Sequence, residues 1–414
     1  MGNEMREVVM YILVGSIAIV AALLFCVTAD AGSREQAQRI HNRIAGVSPL
    51  AVRLDEMAAL IQTGSGTEEE NAQAAAFIAM QHPDFYRTTL KNFSTPWTNR
   101  DQDVFAALND YSATVIGMVR DDVDFREILT GDIVYLAPNV AVPGYSTSDN
   151  RHYEELEQQG LDLASVLVRS DQSSLTGVPP EATAGVITTR AGARAFFIAG
   201  TNRAMFRFTL LNHLCMDLEE VKDITRAPDR IRQDVTRSPG GDSRLFRNNC
   251  IGCHSGMDPM TQAFAYYNFE YDPDNDPEGN SGQLVYNRSG TVDVFTGTRV
   301  VKKYHHNQNN FPTGYVTVND NWDNYWREGR NQRIGWDSTL TGSGTGAKSM
   351  GRELANSQAF AACQVTKVFR EVCLRDPVDA ADRSKIDSMV SSFSNSGFKL
   401  KQPFAESAAY CRGG

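Results

Sequence analysis

The chain is poor in the patterns that usually declare a chemistry, and each absence narrows the field. Its 414 residues hold no internal repeat and no Ser/His/Asp or paired-carboxylate constellation that stands out from background. Positive charge is short: 40 Lys and Arg face 50 Asp and Glu, a net charge of −10. That balance argues against nucleic acid and against adhesion to anionic lipid, and it suits a basic protein partner. A structural zinc site needs two Cys/His pairs at ligand spacing. The best candidate for a second pair, His305-His306, is an adjacent doublet. Asp272, Asp274, Asp276 and Glu278 alternate as in a calcium loop, but Pro277 stands where such a loop needs glycine, so a solvated acidic turn is expected.

Against this background one pentapeptide stands out. Cys250-Ile251-Gly252-Cys253-His254 has the C-x-x-C-H spacing of a covalent c-type haem attachment site. Residues at i, i+3 and i+4 share one face of a helical turn. Two thiols on that face can add to the haem vinyl groups while the imidazole ligates the iron. With 7 cysteines and 7 histidines, chance supplies the pattern on the order of a few times per thousand such chains. A thioredoxin-like redox pair would follow a buried strand, and Asp242 to Asn249 is no such strand. An ordinary disulfide between the two thiols is the remaining alternative. The motif occurs once, so one haem c is expected, held by Cys250 and Cys253 with His254 as the proximal metal ligand.

Haem c is attached outside the cytoplasm, which requires an export signal. Val8 to Val27 is apolar except for Gly15 and Ser16, and at about 1.5 Å per residue it spans roughly 30 Å, the thickness of a bilayer core. Its flank (Glu4, Arg6, Glu7) is nearly neutral and its core is long, which favours an uncleaved membrane anchor. Ala29-Asp30-Ala31 keeps a cleaved signal peptide open, while the bulky Phe25 before Cys26 disfavours a lipoprotein anchor. Arg34, Arg39 and Arg43 after the run oppose outward placement by charge counting, but long domains translocate largely regardless of charge. The expected location is the periplasm, anchored to the inner membrane by residues 8–27.

Leaving aside Cys26 and the motif pair, Cys215, Cys363, Cys373 and Cys411 remain, an even number suited to an oxidising compartment. Ser357 opens a helix predicted through Leu374, which places Cys363 and Cys373 about 15 Å apart. A disulfide needs Cα atoms within about 7 Å, so these two cannot pair. Either Cys215 joins one and Cys411 the other, or all four stay as buried thiols.

The pattern along the chain is mainly helical. Ser48-Pro49 reads as a cap and first turn for a helix from Leu50 to Ile61, closed by Gly64-Ser65-Gly66. A second helix spans Asn71 to Met80, and Phe105, Leu108, Tyr111, Val115 and Val119 mark a long amphipathic one. A shorter piece at Phe125–Leu129 ends at Gly131. Residues 137–182 read as surface connections, and helix returns from Ala193 to Leu214. Asp258-Pro259 reads as a cap and first residue of a helix running to Tyr267. Residues 272–346 carry Gly, Asn and short β-like pieces such as Gln283 to Tyr286, with a turn at Pro312-Thr313-Gly314. Helices resume from Ser349. The expected organisation is 1–31 signal or anchor, 32–175 helical region, 176–290 haem c module, and 291–414 irregular or β insertion plus closing helices. This is a mainly α fold in which a cytochrome-c-like module sits within a larger helical protein.

Around the motif the sequence resembles the planctomycete-type cytochrome c family, exported multi-module proteins of ill-defined biochemistry. The resemblance rests on Cys250-x-x-Cys253-His254, Met257-Asp258-Pro259, Phe264-Ala265 and Asn268-Phe269-Glu270. The stretch from Pro259 to Phe264 is about two residues longer than is usual there. Asp124 to Asp132 is similar to the family's upstream segment, and Leu354-Ala355, Phe360 and Cys363 to Arg375 to its closing helical module. The resemblance implies a haem-bearing, mainly helical architecture and supplies no activity.

The ligand opposite His254 decides between electron transfer and chemistry on the iron. Met350, after the Gly-rich Thr341 to Gly346, is the first candidate; His305 and His306 are the alternative. Arg244 and Arg247 are candidates for the haem propionates, since a guanidinium fork matches a carboxylate. The expected function is electron transfer to a redox protein partner in the cell envelope. The alternative is an oxidase- or peroxidase-like enzyme with an open distal site, motivated by roughly 300 residues beyond what a simple carrier needs.

Overall fold

The computed structural model describes residues 31–413, and the apolar run Val8 to Val27 lies outside them. Ten helices carry most of the packing: α1 Ser33–Ala45, α2 Ala51–Thr63, α3 Glu68–Ala79, α4 Asp110–Arg120, α5 Arg203–Leu214, α6 Ile251–Thr261, α7 Gly346–Ala355, α8 Gln358–Cys373, α9 Ala380–Asn395 and α10 Lys401–Tyr410. Between them lie short helical turns and three antiparallel two-stranded sheets. These pair β1 Val134–Leu136 with β2 Val168–Ser170, β3 Tyr267–Glu270 with β4 Gln283–Tyr286, and β5 Asn321–Asp323 with β6 Ser343–Thr345. The protein is mainly helical, as its periodicity implies. No described helix is long and apolar enough to cross a membrane.

Local chemistry explains the helix ends. Thr67 and Glu70 cap α3 reciprocally, Thr67 Oγ1 accepting from the Glu70 amide and Glu70 Oε2 from the Thr67 amide. The helix therefore starts at Glu68, three residues before the apolar pattern. Asn109 caps α4 in the same way with Ser112, so Phe105 lies outside the helix and is exposed. Ser48-Pro49 lies outside the helix, Leu50 is its extended cap residue and α2 begins at Ala51. Ser357 caps α8, and Leu374 ends it in the left-handed conformation, matching the predicted helix. The 137–182 stretch is less of a loop than its composition implies: it contains helices Arg151–Gln158, Leu163–Val166 and Gln172–Thr176 as well as β2.

One apolar core runs from Ala37 in α1 to Ala409 in α10. α1 and α3 pack against α10, and α2 packs against α1 and α3, so both ends of the described chain close on each other. Two disulfides reinforce this arrangement. Cys215 at the end of α5 joins Cys363 in α8, with Cα atoms 5.3 Å apart. Cys373 at the end of α8 joins Cys411 after α10, with Cα atoms 5.5 Å apart. One of the two connectivities that helix geometry allowed is thus realised, and the four-free-thiol alternative falls.

Candidate functional site

Cys250, Cys253 and His254 lie on one helical rod. The rod starts at Ser243, where Asp242 caps it by accepting from the Arg244 amide. It passes through one π turn, Phe246–Cys250, and continues as α6. A single π turn widens the helix and shifts the angular position of everything before it; such turns are frequent at functional sites. At about 100° per residue, Cys250 and His254 face away from Gly252 and Gly256. The glycine side is the packed side. A Cβ at Gly252 would meet Lys222 Cγ at 2.7 Å, and one at Gly256 would meet Trp326 Nε1 at 1.9 Å. The segment around Lys222 and the Trp326 ring thus hold the back of α6, while Cys250 and His254 remain partly open to solvent.

Cys250 and Cys253 are the two free cysteines among the described residues. Cys253 is buried, its Sγ 3.5 Å from the Leu218 carbonyl oxygen. Burial pushes its thiol up to about 11, with the Glu219 carboxylate adding to the effect. This is the reverse of the lowered pKa that activates a redox thiolate.

His254 is held by a buried charge network. Its Nδ1 lies 3.1 Å from Asp258 Oδ1, one helical turn on. The Asp258 side chain is completely buried. Arg203, at the start of α5, grips it with a guanidinium fork: Nε donates to Oδ1 at 2.7 Å and Nη2 to Oδ2 at 2.9 Å. The same guanidinium donates to Asp234 at 2.5 and 3.0 Å. The Arg232 amide donates to Asp258 Oδ2 at 3.2 Å, and the buried Arg232 guanidinium lies over the Tyr304 ring. Burial alone would raise the Asp258 pKa, but Arg203, His254 and Arg232 together hold it well below the usual carboxylate range. An ionised carboxylate only accepts, so its partner nitrogen must be Nδ1–H. In the neutral ring that arrangement leaves the lone pair on Nε2, which has no hydrogen-bond partner among the described residues.

This overturns the expected role of Asp258. Asp258-Pro259 does not start a new helix; both lie inside α6, and Tyr267 begins β3. Pro259 is tolerated in the last turn of a helix whose preceding turns are fixed by packing on both glycines. The network partners Arg203 and Asp234 had no sequence signal, being 55 and 31 residues from the groups they bind. Asp258 did have one, since it lies four residues after His254 on the same helix.

The other predicted residues are placed as follows. Met350 is fully buried in α7, a helix that packs on the Phe125–Leu129 turn. His305 Nε2 lies 2.9 Å from the Thr317 carbonyl oxygen, while His306 is exposed. Arg244 is clamped to Asp242, the residue that caps its own helix, and Arg247 is exposed. Asp272 and Asp276 accept backbone amides of their own turn, as a solvated acidic turn does. A 510 Å³ cavity bordered by Arg100, Arg190 and Arg194 includes none of the motif residues. Among the described residues no three His, Cys, Asp or Glu side chains form a metal-binding cluster; a haem needs only one protein nitrogen and a pair of thiols.

No protein-family model, no curated protein and no solved structure matches this chain.

Proposed function

We propose that this chain is an exported mono-haem c-type cytochrome that passes electrons in the cell envelope, with haem bound to Cys250 and Cys253 and His254 as proximal ligand. The observation that carries the reading is the segregation of the cysteines. Four are joined in disulfides, whereas the pair in the C-x-x-C-H motif stays reduced beside a histidine whose Nε2 is uncommitted. This donor set fits the group. Each S–H would add across one vinyl C=C, sulfur to one carbon and hydrogen to its neighbour, so attachment consumes no oxidant. Once bound, the haem supplies a one-electron Fe(III)/Fe(II) couple. The chain's own part would be to carry both thiols and the imidazole on one helical rod, with Cys253 freed from its contact with the Leu218 carbonyl, to hold the Nδ1 side of the ring on Asp258 and to keep the opposite face of α6 packed. The resemblance to planctomycete-type cytochromes agrees with this reading and is carried mainly by the residues around the motif, from Cys250 to Glu270. The run Val8 to Val27 is proposed as the export signal or inner-membrane anchor.

The test is haem retention on a denaturing gel after expression with a haem c maturation system. Wild type should carry one covalent haem, and Cys250→Ala with Cys253→Ala should carry none while keeping its helical circular dichroism. A double variant that still holds haem covalently at full stoichiometry would refute the assignment. Spectra with carbon monoxide and cyanide then separate two uses of the haem. A low-spin spectrum unchanged by either ligand supports the carrier, with Met350 or His305 examined as distal ligand by substitution. A high-spin ferric spectrum with ready cyanide binding replaces the carrier with an open-site oxidoreductase.

A further inference from the structure

We infer that Asp258, clamped by Arg203 and Asp234, is a positioning residue that locks His254 as the Nδ1–H tautomer and biases the iron towards the ferric state. The inference rests on the haem reading above and goes beyond it, because the motif itself names no partner for Nδ1. Metal-bound histidines generally donate their second ring N–H to a carboxylate, carbonyl or water, which fixes the ring and raises its basicity. Which of these is present matters. A carbonyl oxygen brings a dipole, whereas the fully buried carboxylate of Asp258 brings a negative charge, offset in part by the Arg203 guanidinium on its far side.

Three features show that this carboxylate is built rather than incidental. Its position four residues after His254 in α6 aims it at the ring. Both its oxygens are occupied, Oδ1 by His254 and Arg203 and Oδ2 by Arg203 and the Arg232 amide. Arg203 is in turn fixed from its other side by Asp234, with side chains 17% and 7% exposed. Asp258 is therefore held in place, and His254 cannot flip without losing its hydrogen bond to the buried carboxylate. Negative charge hydrogen-bonded to the ligand favours the more positive oxidation state of the iron, so the site should hold Fe(III) more firmly than a carbonyl-supported histidine would.

Potentiometric titration of the haem-loaded protein tests this. Asp258→Asn keeps the size and an acceptor oxygen but removes the charge, and should shift the ferric-to-ferrous balance at least tenfold towards ferrous, about 59 mV for one electron. Asp234→Asn, which touches Arg203 and not His254, should move the potential in the same direction by less. If Asp258→Asn does not fold, the reduced wild type labelled with ¹⁵N-histidine decides. His254 should then show a protonated Nδ1 whose proton exchanges slowly with solvent. Full haem loading of Asp258→Asn with an unchanged potential overturns the inference and leaves the haem reading intact, as does a rapidly exchanging or unprotonated Nδ1 in wild type. Absence of covalent haem from wild type overturns both.

Discussion

Among the described residues the two sets of cysteines meet opposite fates, and their surroundings explain why. Cys215, Cys363, Cys373 and Cys411 lie at helix ends or on faces already pressed together, and each finds a partner on a different segment. Cys250 and Cys253 lie on one rod, with the back of that rod filled by Trp326 and the segment around Lys222. The region around α8 and α10 is held by apolar packing and covalent ties. The region around α6 is held by buried charge: two arginines and two aspartates behind one histidine. The first arrangement fixes a shape, and the second fixes the orientation and electronic character of one side chain.

The contrast can be broken from either side. The largest expected effect is on the disulfide side. Cross-links across 148 and 38 residues restrict the unfolded chain by about 5 and about 4 kcal/mol in the chain-entropy account. Replacing Cys215 and Cys363 by Ala should therefore destabilise more than replacing Cys373 and Cys411, as read by urea denaturation without reductant. Neither pair of substitutions should reduce haem attachment. Equal haem loss from the disulfide variants and the motif variants would erase the distinction between the two sets.

On the charge side, Arg203→Leu leaves Asp258 and Asp234 buried without their shared cation. Breaking a buried ion pair from one side costs about 3–5 kcal/mol, so a large drop in the denaturation midpoint is expected. A change below about 1 kcal/mol would show that the network is not buried as described.

A third expected effect is a slope with pH. Lys303 Nζ donates to the Phe197 carbonyl at 2.5 Å and to Asn202 Oδ1 at 2.9 Å, and burial lowers its pKa to about 7. In the unfolded chain this amine keeps its proton up to about pH 10.4. The unfolded state thus binds more protons between those values, and stability should rise with pH from about 7 to 10 and show no Lys303 contribution below that window. Thermal melts across the range should show the rise in wild type and a shallower one in Lys303→Met. An unchanged slope would mean that the amine is solvated.

Much of the helical fold was legible because its signals are local. The α8 boundaries follow from Ser357 and an apolar period of 3.6, and the disulfide choices from helix length alone. The α3 start was misplaced because a capping box, not hydrophobicity, sets it. Asp258-Pro259 misled for the same reason in reverse: Asp is a good cap in isolation, but here Arg203 draws its side chain into the interior. The split of the Ala193 to Leu214 stretch into Arg190–Phe196 and α5 had no warning in the periodicity. The break holds Asn202, whose left-handed backbone and buried side-chain bonds to the Phe264 and Tyr267 carbonyls hold the turn.

By itself the sequence determined the attachment chemistry that can be proposed for this protein, since Cys250, Cys253 and His254 are neighbours along the chain and a helical turn is enough to align them. It determined the helical class as well, through periodicity that needs no distant partner. Only the tertiary structure decided what supports His254, because Arg203 and Asp234 reach Asp258 from segments that no local rule connects to it. A buried charge is stable only where the fold delivers its counter-charges, and that delivery is a property of the packed chain.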